Sequence, residues 1–358
     1  MKFGLLLPAG TYSVEQTRAA EAQGFATVFY ADSPVLFGDP YVTMAAAAVQ
    51  TRRIVVGVGV TNPLTRSAPV TATCIASLNA LAPRRVALGL GVGFTANFAM
   101  GTRNATLAEL ERYVGDVRRL LRGEVAEVEL LGENVPVQFL NRGQPFLNVD
   151  DPVPFYMAAM GPKGLALAGR LADAVILGGI TEPALIDRCR ELVDEGARRV
   201  GRRVNDLEVC VTPSAYVTDR PADFDELRQA LGPKSLAPAK IYSVMADSVP
   251  GLSRELAAEM ARVRDAAYAG GGSGGEDRRR RHLSAYRGYL TKLQPWQEPL
   301  ITPRVLRATS VAGTVEECAE TIRTLEKHGV SQVILAPRPQ DQTTVVERFG
   351  HDIIPRFA

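Results

Sequence analysis

The sequence predicts a closed (β/α)8 barrel with one long helical insertion, and three observations carry that expectation. Eight short runs rich in β-formers and apolar on both faces recur along the chain, at residues 3–7, 27–30, 54–60, 86–90, 154–158, 174–177, 208–217 and 332–335. Strands covered by helices on both sides have that composition. Longer Ala/Leu/Arg/Glu segments of helical period separate them, as crossovers between parallel strands require. Finally, the turn after the first run reads LLLPAGTYS, with Pro8 and a lone Gly10. A doubly wound nucleotide-binding sheet would place a glycine-rich turn there, so the closed barrel is preferred.

The helical segments are expected at residues 14–23, 41–50, 68–81, 105–121, 163–170, 183–200 and 315–328. Some ends are legible. Thr314 stands before Glu316 and Glu317, an N-cap with carboxylates in the first turn, and Gly24 and Gly329 fall where helices close in a left-handed glycine. Two stretches break the alternation within what reads as a single domain over residues 1–358. Residues 122–151 contain EVELLG and VPVQFL, a hairpin-like excursion before the fifth strand. Residues 219–303 are mainly helical and include a glycine-rich linker at 270–275 and an arginine run at 278–281. This insertion follows the seventh strand on the side where barrel sites sit, and is either a solvated loop-helix segment or a lid.

Composition narrows the function. The 358 residues carry 41 Lys and Arg against 39 Asp and Glu, a net charge of +2, without the basic excess of a nucleic-acid-binding face. Four cysteines (Cys74, Cys189, Cys210, Cys318) and three histidines (His282, His328, His351) are scattered, so neither a disulfide framework nor a metal site is expected. Cys74, in a helix that should pack on the barrel, reads as an inert thiol. The amino-terminal MKFGLLLPAG is too short for a signal-peptide core and far below the roughly 20 apolar residues that span a bilayer. It reads as a first strand, and the protein as cytoplasmic without membrane attachment.

Residues just past the strand ends face a barrel's site, and here glycines collect there: Gly59 before Val60, Thr61 and Asn62, then Gly91 and Gly93, Gly161 before Pro162, and Gly178 with Gly179. Such glycines let backbone approach a flat ring, and their N–H groups at a helix start suit a phosphate. Plain turn glycine explains any single one of them equally well. Asp32 ends the second strand and could instead be an N-cap. Trp296, in the insertion, suits either a substrate mouth or an anchor to the barrel.

Taken together, GFATVFYADS, TRRIVVGVGVTNPLTR, RVALGLGVG, PFYMAAMGPKGLALAGRLADAVILGG and VAGTVEECAETIRTLEKHGV resemble the bacterial-luciferase-like flavin and deazaflavin oxidoreductases. The similarity is nearest to their F420-dependent branch, which includes methylenetetrahydromethanopterin reductase and F420-dependent glucose-6-phosphate dehydrogenase. It spans nearly the whole chain apart from the insertion and the excursion. The resemblance implies a TIM barrel, an F420 cofactor with FMN as the alternative, and a homodimer. It also implies a cis peptide at Gly59–Val60 against the cofactor ring, Asp32 beside the ring, and an amide contact from Asn97. Ala159, Gly161, Pro162, Gly178 and Gly179 match its phosphate-binding backbone, with Thr61, Asn62 and Gly91 as further cofactor contacts.

The departures matter as much. Where the sugar-phosphate dehydrogenases carry a histidine after that aspartate, this chain has Ser33, and where they carry a catalytic glutamate it has Phe94. Hydroxyl dehydrogenation by that machinery is therefore disfavoured, whereas reducing an unsaturated bond asks less of protein acid–base groups because the cofactor performs the hard step. The leading expectation is an F420-dependent enzyme passing a hydride to or from a small organic substrate. The alternatives are an FMN-dependent monooxygenase fed by a partner reductase, and a flavin-binding protein without catalysis. The arginine run at 278–281 is either a solvated face or a landing site for a polyanionic cofactor tail.

Overall fold

The computed structural model describes residues 1–203, 206–267, 279–286 and 288–357. Eight parallel strands close into a barrel in chain order: β1 (Lys2–Pro8), β2 (Thr27–Ala31), β3 (Val55–Thr61), β4 (Val86–Leu90), β5 (Phe155–Ala159), β6 (Ala174–Leu177), β7 (Glu208–Val211) and β8 (Gln332–Leu335). Closure is made by β8 against β1, with Lys2 opposite Gln332 and Leu5 opposite Leu335. The (β/α)8 barrel expected from the alternation of strand and helix is the fold.

Side chains alternate between two environments. Leu5, Leu7, Val28, Tyr30, Val56 and Val58 point outward into the large core beneath the helices. Phe29, Ala87, Tyr156, Ala174, Ile176, Cys210 and Ile334 form a separate cluster inside the barrel. Phe29 dominates that interior and meets the Tyr156 ring edge-on at 4.9 Å. Its neighbours make room by being small. A Cβ on Gly57 would lie 2.6 Å from Phe29 Cε1 and one on Gly59 would lie 2.8 Å from Phe29 Cβ, whereas on the next strand a Cβ on Gly89 would meet the backbone of β3, with Val58 O at 2.3 Å. The alternating glycines of VVGVGV are thus the complement of one aromatic ring, a requirement set by packing across strands.

The helices lie close to their expected positions: Ala68–Leu81, Pro183–Arg198 and Val315–Lys327 differ from expectation by at most two residues at an end. Thr314 and Glu317 form a reciprocal capping box, and Gly24 and Gly329 adopt φ of 86° and 75°. The excursion contains the antiparallel pair Ala126–Leu130 and Glu133–Val137, joined through Leu131 and Gly132, both at positive φ. One short helix, Phe94–Ala99, was not anticipated; it opens from Gly93 in the left-handed region.

One strand needs correction. The run at 208–217 is two strands, because Pro213 has no N–H to donate and the chain leaves the barrel there. Glu208–Val211 stays between β6 and β8, while Ser214–Val217 pairs in parallel with Ser310–Gly313 in a separate small sheet. That side sheet carries the chain into and out of the insertion. Within it, helices Phe224–Ser235, Ala239–Met245 and Arg254–Ala266 bury Leu231, Ile241, Tyr242, Met245, Leu256, Met260 and Val263 continuously with the main core. Each such side chain contributes about 1.5–3 kcal/mol on burial, so these helices are docked by packing. The glycine linker at 270–275 and Arg278 of the arginine run lie outside the described residues. Trp296 lines neither of the cavities described below.

The barrel interior leaves no space for a methyl group at position 57. Gly57→Ala is expected to destabilise the protein by about 1–3 kcal/mol in urea denaturation, and Phe29→Leu in the same chain to recover part of the loss. A neutral Gly57→Ala would show that the interior is not filled in this way.

Candidate active site

A cavity of about 600 Å³ opens at the carboxyl ends of the first five strands. Val60, Gly91, Ala158 and Ala159 form its low walls, Asp32 and Ser33 one side, and Lys240, Val244 and Leu290 of the insertion its roof. A smaller cavity of about 160 Å³ adjoins it and holds Gly178, Gly179, Thr212, Lys234 and Pro238. The two share Leu6, Ala31, Phe37, Met160 and Leu290. Helix Ala239–Met245 lies across both, sending Lys240 and Val244 to one and Ile241 to the other. The site is therefore assembled by barrel and insertion together.

The large cavity gathers Asp32, Gly59, Val60, Gly91, Ala159, Gly161 and Pro162 from four different chain segments. The Gly59–Val60 peptide bond is cis, and the register of β3 against β4 shifts between Val58 and Thr61. Gly161 opens helix Pro162–Leu171 with no side-chain cap, leaving the N–H groups of Lys163 and Gly164 without intrahelical acceptors. A Cβ there would meet only Val244 Cγ1, at 3.5 Å. Gly178 and Gly179 belong to the other cavity. The Gly179 N–H already donates to Thr212 Oγ1 at 3.0 Å, and Pro238 covers its α-carbon. The two glycine turns thus line adjoining cavities rather than a single one.

Thr61, Asn62 and Asn97 are fully buried and stand behind the cavity wall. Asn97 Nδ2 donates to Val92 O at 3.2 Å and faces Asn62 Oδ1 at 3.4 Å. Asn62 Nδ2 in turn donates to Thr65 Oγ1 at 3.0 Å. These amides are fully buried and tie the loops after β3 and β4 to each other. A short polar side chain after a strand end looks the same in sequence whether it faces a ligand or pins its own loop.

Asp32 sits in a graded set of charges. Its side chain is nearly inaccessible, and burial pushes its carboxyl above the usual range, against the pull of the Thr61 hydroxyl and the Arg66 guanidinium. Arg66 Nε lies 3.4 Å from Asp32 Oδ2 and the guanidinium stacks 4.5 Å over the Tyr41 ring. Arg66 also binds Asp39, which caps helix Pro40–Ala48 by accepting from the Tyr41 and Val42 N–H groups. A helix cap thereby orients the arginine that partners Asp32.

Two functional candidates escaped the sequence reading, and both are lysines of the insertion. Lys234 donates to Pro337 O at 2.7 Å, and burial, opposed by Asp341 and assisted by Arg338, brings its ammonium down to about 7. Lys240 places its ammonium 4.6 Å from the centre of the Phe94 ring, and burial lowers its pKa as well. Phe94 itself packs edge-on against Phe98 at 4.9 Å. Nothing in the local sequence of an insertion says which lysine the fold will turn inward. Cys74 is half-buried with its thiol raised by burial, in keeping with an inert role.

The fold is a TIM barrel with a glycine-walled cavity at its strand ends, roofed by an insertion. The chain belongs to the luciferase-like monooxygenase family, whose model matches residues 2–332. It is 30% identical over 342 residues to 5,10-methylenetetrahydromethanopterin reductase of Methanolobus tindarius, with 94% of each chain covered. It is 26% identical to F420-dependent glucose-6-phosphate dehydrogenase of Beutenbergia cavernae, covering 95% of this chain and 91% of the relative. The solved structure of coenzyme F420-dependent tetrahydromethanopterin reductase from Methanopyrus kandleri has the same fold, with a TM-score of 0.72 at 21% identity over 100% of this chain and 99% of that one.

The raised Asp32 carboxyl has a consequence for stability. Its folded pKa exceeds the unfolded value, so the native state holds the proton more tightly and stability is lost as pH rises through the range between them. Asp32→Asn should remove that loss: the stability difference between variant and wild type should shift in the variant's favour from pH 3 to pH 7, read from urea midpoints. A difference that does not move with pH would show that Asp32 is not penalised by burial.

Proposed function

We propose that the protein is an F420-dependent oxidoreductase that transfers a hydride between the deazaflavin and a small organic substrate, both held in the large cavity. The observation that carries this reading is the pairing of a low, side-chain-poor wall at Val60, Gly91, Ala158 and Ala159 with an uncapped helix start at Gly161 in one cavity. A flat tricycle fits against the first, and a phosphate suits the free N–H groups of the second. The F420-dependent relatives support the choice of cofactor. When bound, that group supplies the hydride chemistry.

The chain's own residues then bind, orient and shield. Gly59 and Val60 present backbone and one isopropyl group to the ring's place, and Asp32 offers a carboxyl oriented by Arg66 at its edge. The insertion's Val244 and Leu290 keep water from the reacting face. Neither Ser33 nor Phe94 is a strong proton carrier, which favours substrates whose reduction or oxidation needs little help from a protein base. FMN with monooxygenase chemistry is the second reading, favoured by the description of the matching family.

Side-by-side titration of the protein with F420 and FMN separates the two. F420 is expected to bind at least roughly tenfold more tightly, a difference of about 1.4 kcal/mol, and the reverse preference would support the monooxygenase. Gly161→Asp tests the phosphate place. Aspartate is a good N-cap and position 161 has extended backbone, so stability should hold. The new carboxylate would occupy the N–H groups and repel the phosphate, so affinity for the cofactor should fall at least roughly tenfold. A change below about threefold would place the phosphate elsewhere.

A further inference from the structure

We infer that Lys240 determines specificity by receiving an anionic group, of carboxylate type, on an otherwise apolar substrate in the large cavity. The inference rests on reading that cavity as the substrate site and adds the class of substrate it admits.

The charges facing the cavity are few. Among the described residues Asp32 is the one acid that lines it, and Arg66 already partners it from behind the wall. Lys163 is exposed and keeps its water. Lys234 belongs to the neighbouring cavity and donates to Pro337 O. Lys240 differs from all three. It is half-buried, and among the described residues its ammonium has neither a hydrogen-bond acceptor nor a carboxylate, only the face of Phe94 at 4.6 Å.

An ammonium in that position has lost hydration that the ring quadrupole replaces only in part. Among the described residues no acid offsets the burial that lowers its pKa. The group that restores the deficit is an anion with acceptor oxygens, which can take charge-assisted bonds from three free N–H groups while Phe94 fixes the lysine stem. The remaining walls, including Val60, Leu110, Met157, Val244 and Leu290, are apolar and suit a hydrophobic or conjugated body attached to that anion. A cavity whose single acid is neutralised and whose inward-facing cation is unpaired selects against cationic substrates as well.

The test uses two probes of nearly the same shape, trans-cinnamate and cinnamamide, titrated calorimetrically into the cofactor-free full-length protein at fixed ionic strength. The wild type is expected to bind the carboxylate at least roughly tenfold more tightly than the amide. Lys240→Met should reduce that preference to under about threefold, and Lys240→Arg should retain it. No preference in the wild type, no binding of cinnamate at all, or an unchanged preference in Lys240→Met would each overturn the assignment. F420 is titrated into the same three proteins. Equal F420 affinity in wild type and Lys240→Met supports a substrate role, whereas a parallel tenfold loss would assign Lys240 to the cofactor and overturn it. Failure of the wild type to bind F420 would contradict the cofactor reading alone, because the cinnamate comparison is made without cofactor.

Discussion

The structure depends on how one aromatic ring fills the inside of the barrel. Phe29 on β2 fills the interior beside Tyr156, and Gly57 and Gly59 are the spaces it requires. Interiors packed to crystal-like density transmit such demands across strands, so the ring on one strand decides which residues the next can carry. The same glycines, with Gly89 on the following strand, leave β3 and β4 with little side-chain bulk where they reach the cavity, and Val60 and Gly91 are what remain to form its wall. Packing below and binding above are thus met by one stretch of chain.

Over this floor the insertion acts as a fitted roof. Its helices share the main core, and the short helix Ala239–Met245 spans the two cavities. It also brings to the barrel mouth the groups that the strand ends lack. Barrel strands contribute Asp32 and backbone N–H groups, whereas the cations Lys234 and Lys240 both come from the insertion. A barrel that varies its loops while keeping its strands can change substrate without disturbing cofactor binding. At that mouth the ammonium of Lys240 stacks on the Phe94 ring.

Much of this was legible in the sequence because strand and helix periods, glycine positions and the Thr314 cap are local signals. Asp32, Gly59, Val60, Gly91, Ala159, Gly161 and Pro162 reach one cavity as strand-end logic requires. What was misread involved partners distant in sequence. Gly59 reads as a concession to a ligand, yet its Cβ would also strike Phe29. Asn62 and Asn97 read as ligand amides, and their buried side chains bond within their own loops and to each other. The second half of the run at 208–217 has full β character, but its partner, Ser310–Gly313, is short and lies almost a hundred residues away. Lys240 left no mark at all, since only tertiary packing turns it inward.

A crystal structure of the protein grown with F420 would test the central claim most directly. The account predicts the deazaflavin ring against Val60 and Gly91, its phosphate at the N–H groups that follow Gly161, and the substrate space left open beneath Lys240. A ring lodged in the smaller cavity between Gly178 and Lys234, or a phosphate remote from Gly161, would contradict it.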